Sequence, residues 1–225
     1  MRTDTAPGYR DLPGLIARMT GDEKHEQAAT STLDVLWVLY DRVLRVDPAA
    51  PDDPGRDRFL LSKGHGPMAY YAVLAAKGFI DPSTLDTWLT FGSILGYHPD
   101  RTLVPGVEIG SGSLGHGLPI AVGQAIGLTA GQRVVVLVGD GELDEGSNHE
   151  AIAVAGRRGL ANLTAVVVDN DSAVHGWPGG IAARFAVEGW ATATVDGRDH
   201  DAIERALTAE HPDAPLAVVA QIRES

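Results

Sequence analysis

The 225-residue chain contains no cysteine. That excludes disulfides and thiol catalysis, and it fits a cytoplasmic protein. Basic residues are scarce: 18 Lys and Arg stand against 30 Asp and Glu, a formal net charge of −12. A nucleic-acid surface needs clustered Lys and Arg, so that class is set aside. No apolar run approaches the ~20 residues of a membrane span. Residues 1–7 hold no apolar core of the kind a secretory leader carries. The expectation is a cytoplasmic protein with no membrane partner. What is present suffices for folding: 44% hydrophobic against 21% charged residues indicate a globular chain rather than a disordered one. The length suits one α/β domain with a sizeable core.

Periodicity organises the chain. Residues 1–21 read as a loose lead-in with a short helix over 12–19, and 22–225 as one domain. Leu33, Leu36, Trp37, Tyr40, Val43 and Leu44 recur at helical spacing and predict a helix over 32–45. The Pro- and Asp-rich stretch 47–55 reads as a loop. Strands are expected at 58–61, 133–138, 163–168, 191–195 and 216–222. Further helices are expected at 67–76, 83–90, 115–128, 147–155, 181–188 and 200–209. Strands alternating with helices imply an α/β fold: a doubly wound, mainly parallel sheet with helices on both faces.

The most informative stretch is Gly139-Asp140-Gly141-Glu142-Leu143-Asp144-Glu145-Gly146, directly behind the apolar run Val134 to Val138. Asn170 follows a second such run, Leu163 to Asp169. Two buried strands thus each deliver one oxygen ligand to the same sheet edge. Mg²⁺ takes near-octahedral oxygen coordination and retains phosphate oxygens and water. The Asp140 carboxylate, the Asn170 amide oxygen and one loop carbonyl leave room for both. Gly139 and Gly141 let the backbone approach a phosphate closely. The helix after Gly146 turns its N-terminus toward the anion. In open α/β sheets, ligands bind beyond the carboxyl ends of the strands, where both loops fall. Gly-Asp-Gly alone is a common turn; the strand before it, the helix after it and the Asn make it a candidate site.

With these residues in view, the chain resembles the thiamine diphosphate-dependent transketolases. Ser62-Lys63-Gly64-His65-Gly66 is similar to that family's Ser-x-Gly-His segment, and Gly96-Tyr97-His98-Pro99-Asp100 to its Gly-His-Pro-Glu segment. Gly110-Ser111-Gly112-Ser113-Leu114-Gly115-His116-Gly117 resembles its Thr-Gly-Ser-Leu-Gly-Gln-Gly loop. The resemblance runs from about Asp34 to Ile222 and is to the first, diphosphate-binding domain (PP-type) of the thiamine diphosphate-binding fold. It implies one half of a split transketolase, moving a two-carbon ketol unit from a ketose donor to an aldehyde acceptor. It implies thiamine diphosphate and Mg²⁺ as cofactors, with Ca²⁺ or Mn²⁺ as substitutes. It also implies a partner subunit carrying the pyrimidine-binding domain, in an α₂β₂ heterotetramer.

The same resemblance assigns roles. Asp140, Asn170 and the main-chain carbonyl of Ser172 would hold the metal. Gly139, Gly141 and Glu142 would border the diphosphate, Gly141 and Glu142 through backbone N–H groups. His65 would lie beside the diphosphate and the reacting carbons, and His98 would contact the donor's hydroxyls and carbonyl. Gly112, Ser113 and Leu114 would line the aminopyrimidine. Glu145 would join a carboxylate and water network across the subunit interface. His116 stands where many members have Gln.

Some segments depart from the family pattern. His25 keeps its spacing to Leu33-Asp34, but Glu23-Lys24-His25-Glu26-Gln27-Ala28 lacks the family's glycines. His25 is a candidate substrate contact on a loop of altered path or purpose. His175-Gly176 replaces the usual Asp-Gly, and the sequence ends at Ser225 without the family's Lys-Gly-Lys-Gly segment and later His. A cover over the cofactor that is shortened, or supplied by a partner, is expected. Two other readings follow: delivery of the two-carbon unit to a carrier-bound or lipoyl acceptor, and a non-catalytic scaffold that kept the fold.

Overall fold

Alternate residues of a strand face opposite sides of a sheet, and here that alternation divides the core into two layers. The structure is a computed structural model describing residues 7–20, 30–64, 67–129 and 131–223. Among these residues, five strands form one parallel sheet: β1 (Arg58–Leu61), β2 (Val134–Gly139), β3 (Leu163–Asp169), β4 (Ala191–Asp196) and β5 (Leu216–Gln221). Their order is β1-β2-β3-β5-β4. β2, β3 and β5 are covered on both faces, which explains their unbroken Val, Leu and Ala runs. β4 is an edge strand. Its Thr192 and Thr194 are exposed while Ala191, Ala193 and Val195 pack inward.

One layer is built from α1 (Leu12–Ile16), α2 (Leu33–Val38), α3 (Met68–Ala76) and α7 (His200–Leu207). These pack on Phe59, Leu61, Val135, Leu137, Val166 and Val168. The other layer holds α4 (Gly117–Gly127), α5 (Gly146–Arg158) and α6 (Ile181–Ala186), packed on Leu60, Val134, Val136, Val138, Ala165 and Val167. The doubly wound parallel sheet expected from the sequence is therefore what forms. Among the described residues, no helix is long and apolar enough to cross a membrane.

Three segments differ from the sequence reading. The lead-in is anchored: Leu12, Leu15 and Met19 are buried in the first layer. The helix read over 32–45 is α-helical only to Val38, then widens into a π-turn over Leu39–Val43. The helix read over 83–90 is a 3₁₀ turn, Pro82–Thr87, capped by Asp81 accepting from the Ser83 N–H at 2.7 Å. Its Ser and Thr favour such local bonds over helix. Leu89, with φ +59°, then turns the chain away.

Candidate functional site

The loops after β2 and β3 meet because their strands are neighbours in register, Gly139 beside Val168. Asp140 follows β2 and is only 1% exposed. Its Oδ2 accepts from the N–H groups of Ser172 at 2.7 Å and Ala173 at 3.1 Å. Its Oδ1 accepts from the Gly141 N–H at 2.9 Å and the Ser172 hydroxyl at 2.5 Å. Asp171 makes this turn possible with φ +59°, a left-handed conformation that Asp tolerates better than most residues. The Ser172 carbonyl oxygen faces the same corner, 3.4 Å from where a Gly141 Cβ would sit.

Asn170 supplies the decisive detail. Its Oδ1 is buried and has no hydrogen-bond partner among the described residues. A buried acceptor left unsatisfied costs about 1–3 kcal/mol, a penalty that a cation would remove. No cluster of three or more His, Cys, Asp or Glu among the described residues could hold a metal. A cation here would draw on one carboxylate and two neutral oxygens, the donor set suited to a hard ion that keeps phosphate oxygens and water. The residues present fit such an ion.

His98 is aimed from the first core layer. The Gly96 carbonyl accepts from the buried Tyr71 hydroxyl at 3.0 Å and from Trp88 Nε1 at 3.4 Å. His98 Nδ1 then lies 3.0 Å from the Gly64 carbonyl. A carbonyl only accepts, so Nδ1 carries the hydrogen, which in the neutral ring makes Nε2 the acceptor nitrogen. Gly112, at φ +119°, brings the glycine loop under this ring; a Cβ there would stand 2.8 Å from His98. The Ser111 N–H donates to the Pro99 carbonyl at 3.2 Å, while the Ser111 hydroxyl oxygen is buried without a partner among the described residues.

Buried charge lies beneath these loops. The Lys63 stem runs across Gly139, and its ammonium donates to Ser31 Oγ at 3.4 Å. Burial lowers the Lys63 pKa, and the charges of Asp140 and Glu142 pull against that. Burial raises the Glu142 pKa, opposed by hydrogen bonds from Ser62, Gly115 and Gly139 and by the Lys63 charge. Farther along the edge, Asp34 accepts from Tyr9 at 2.5 Å, Arg198 at 2.7 Å and His200 at 2.8 Å. Burial first, and Asp34 second, push the Tyr9 phenol up to about 12. A cleft of about 1330 Å³ is lined by Thr30, Ser31, Asn170, Asp196, Arg198 and Gln221.

The structure brings Gly64, His98, Gly112, Gly139, Asp140, Gly141, Asn170 and Ser172 to one edge of the sheet. The Gly141 N–H expected for a diphosphate is engaged by Asp140. Ser113, Leu114, His116 and Glu145 are exposed on the rim, His116 as the N-cap residue of α4. His25 and His65 lie outside the described residues. The sequence reading missed Lys63, the Ser62–Glu142 link and the Asp34 network. Asp34 had a signal: an acid inside the fully apolar helical pattern of Leu33 to Val38 must find partners when buried.

Residues 18–218 match the family described as "Transketolase, thiamine diphosphate binding domain". The chain is 61% identical over 218 residues to "Ferredoxin fas2" of Rhodococcoides fascians, covering 95% of this chain and 72% of that protein. Iron–sulfur clusters are held by Cys thiolates, and this chain has none. It is 39% identical over 184 residues to one of the subunits of an apulose-4-phosphate transketolase from Phocaeicola vulgatus, covering 78% of this chain and 65% of that one. A transketolase from Pichia stipitis, solved with xylulose-5-phosphate, shares the fold with TM-score 0.80 at 24% identity. That match covers 95% of this chain and 36% of the other. On the family match and these relatives, the chain belongs to the transketolase family, as a thiamine diphosphate-binding N-terminal subunit.

Proposed function

We propose that this chain is the metal- and diphosphate-binding half of a two-component transketolase. The complex would move a two-carbon ketol unit from a ketose donor to an aldehyde acceptor. One observation carries the reading: the buried, unpartnered Asn170 oxygen beside Asp140 and the Ser172 carbonyl, beyond the carboxyl ends of β2 and β3. These three groups would hold Mg²⁺, or Ca²⁺ or Mn²⁺ in its place. When bound, thiamine diphosphate supplies a carbon nucleophile that stores the electron pair of a cleaved C–C bond.

This chain's residues bind, orient and move protons. His98 Nε2 accepts a proton from a donor hydroxyl and returns it, a task for which imidazole is suited near neutral pH. The Nδ1–H bond to Gly64 holds the required tautomer. His65, next to Gly64, is assigned to the diphosphate side and His25 to the substrate. Gly112, Ser113 and Leu114 line the aminopyrimidine; Gly139, Gly141 and Glu142 border the diphosphate. Glu145, exposed at the start of α5, meets the partner. The Phocaeicola relative is itself named as one subunit of its enzyme, which supports a partner for this chain; the proposed form is α₂β₂.

The test is turnover of xylulose 5-phosphate with glyceraldehyde by this chain, its pyrimidine-domain partner, or both, with thiamine diphosphate and Mg²⁺. The expected result is product only from the pair, and none without Mg²⁺. Donor cleavage by the chain alone, or an assembled pair that binds no cofactor, would overturn the proposal.

A further inference from the structure

Glu142 is only 2% exposed, and its carboxylate is bonded to three loops. Its Oε2 accepts from the Ser62 hydroxyl at 2.8 Å and the Gly115 N–H at 3.2 Å. Its Oε1 accepts from the Gly139 N–H at 3.0 Å. Ser62 Oγ in turn accepts from the Gly117 N–H at 3.0 Å. The Asn148 amide donates to the Glu142 main-chain carbonyl at 2.5 Å, which fixes the backbone from α5. One carboxylate therefore ties the exit of β1, the glycine loop and the exit of β2.

Each tied loop carries residues assigned above. The β1 exit leads through Gly64, which orients His98, to His65. The glycine loop carries Gly112, Ser113 and Leu114. The β2 exit carries Asp140. We infer that Glu142 is a positioning residue: its side chain holds these three loops in their binding arrangement before cofactor and metal arrive. Only an acceptor-only group suits the place, because three donors converge on it and an ionised carboxylate offers about four lone-pair sites. Gln would turn an NH₂ toward one of these N–H groups. Asp would be one methylene too short to reach all three. The packing leaves no slack, since a Cβ on Gly117 would stand 2.3 Å from the Ser62 Cβ. Preorganisation of this kind increases affinity by removing the ordering entropy otherwise lost on binding. The inference rests on the cofactor reading above for its functional meaning, but not for its structural content.

The experiment compares wild type, Glu142→Gln and Ser62→Ala. Amide hydrogen exchange is read by NMR on the cofactor-free chain, and thiamine diphosphate affinity at saturating Mg²⁺ on the assembled complex. In Glu142→Gln the Gly115, Gly117 and Gly139 amides should exchange about 10-fold faster or more, while amides within β3 and β5 keep their rates. Affinity should fall about 10-fold, in the range seen for outer-shell partners. Ser62→Ala should speed Gly117 alone and weaken binding a few-fold; it decides the matter if Glu142→Gln does not fold. Unchanged loop exchange, or equal acceleration across loops and strands, would overturn the inference. Faster loop exchange with unchanged affinity would also overturn it. A wild-type complex that binds no cofactor defeats the cofactor reading instead, and the exchange pattern still reports on the tie.

Discussion

The two ends of the sheet treat buried polar groups in opposite ways. Asp57 precedes β1 and Arg133 precedes β2, so both lie at the amino edge. Asp57 accepts from the Arg45 N–H at 2.9 Å, from the Arg45 guanidinium at 2.7 Å and from Arg133 at 2.6 Å. The two guanidiniums also reach the carbonyls of Gly131 and Val43. At the carboxyl edge of the same sheet the Asn170 and Ser111 oxygens have no hydrogen-bond partner among the described residues, Asp171 has a positive φ, and Lys63 is half-buried beside two carboxylates. The amino edge is arranged for stability. On the proposed function, the carboxyl edge holds polar groups whose partners would come with a ligand.

Substitutions can break this contrast, beginning with the largest effect. Asp140→Ala should lower thiamine diphosphate affinity in Mg²⁺ by more than about 100-fold, beyond the 10–100-fold range of outer-shell changes; isothermal titration of the complex measures it. Asp57→Asn should instead destabilise the fold by about 2 kcal/mol in urea melts, as expected for charge-assisted bonds to half-exposed arginines. Its cofactor affinity should match wild type.

Acid sharpens the contrast further. Burial works against the Asp57 carboxylate, but Arg133 and Arg45 outweigh it and hold its pKa below the ordinary value. A depressed carboxylate contributes fully above its unfolded pKa, about 4, and loses that contribution as pH falls through the folded value. Wild type should therefore lose stability below about pH 4 more steeply than Asp57→Asn, as urea midpoints across pH would show. The smallest effect is at Asp171. Asp171→Gly removes the left-handed penalty but adds unfolded-state entropy, so stability should stay within about 0.5 kcal/mol by the same melts.

The carboxyl edge was legible in the sequence to the extent that its residues sit next to long apolar strands. Val134 to Val138 and Leu163 to Val168 announced buried parallel strands, and Asp140 and Asn170 came with them. What was hidden depends on partners remote in sequence. Ser62 and Glu142 are 80 positions apart, and Asp34 and His200 are 166 apart. No local pattern encodes such pairings. The helix read over 83–90 failed for the opposite reason: Asp81, Pro82 and Ser83 make a local cap that a periodicity reading does not weigh.

The most direct test is Asn170→Ala, with urea stability measured in EDTA and thiamine diphosphate affinity measured across a Mg²⁺ titration of the complex. The account predicts metal-free stability equal to or above wild type, because an unsatisfied buried acceptor is removed, together with at least about a 10-fold loss of Mg²⁺-dependent affinity. Lower stability with unchanged affinity would contradict it.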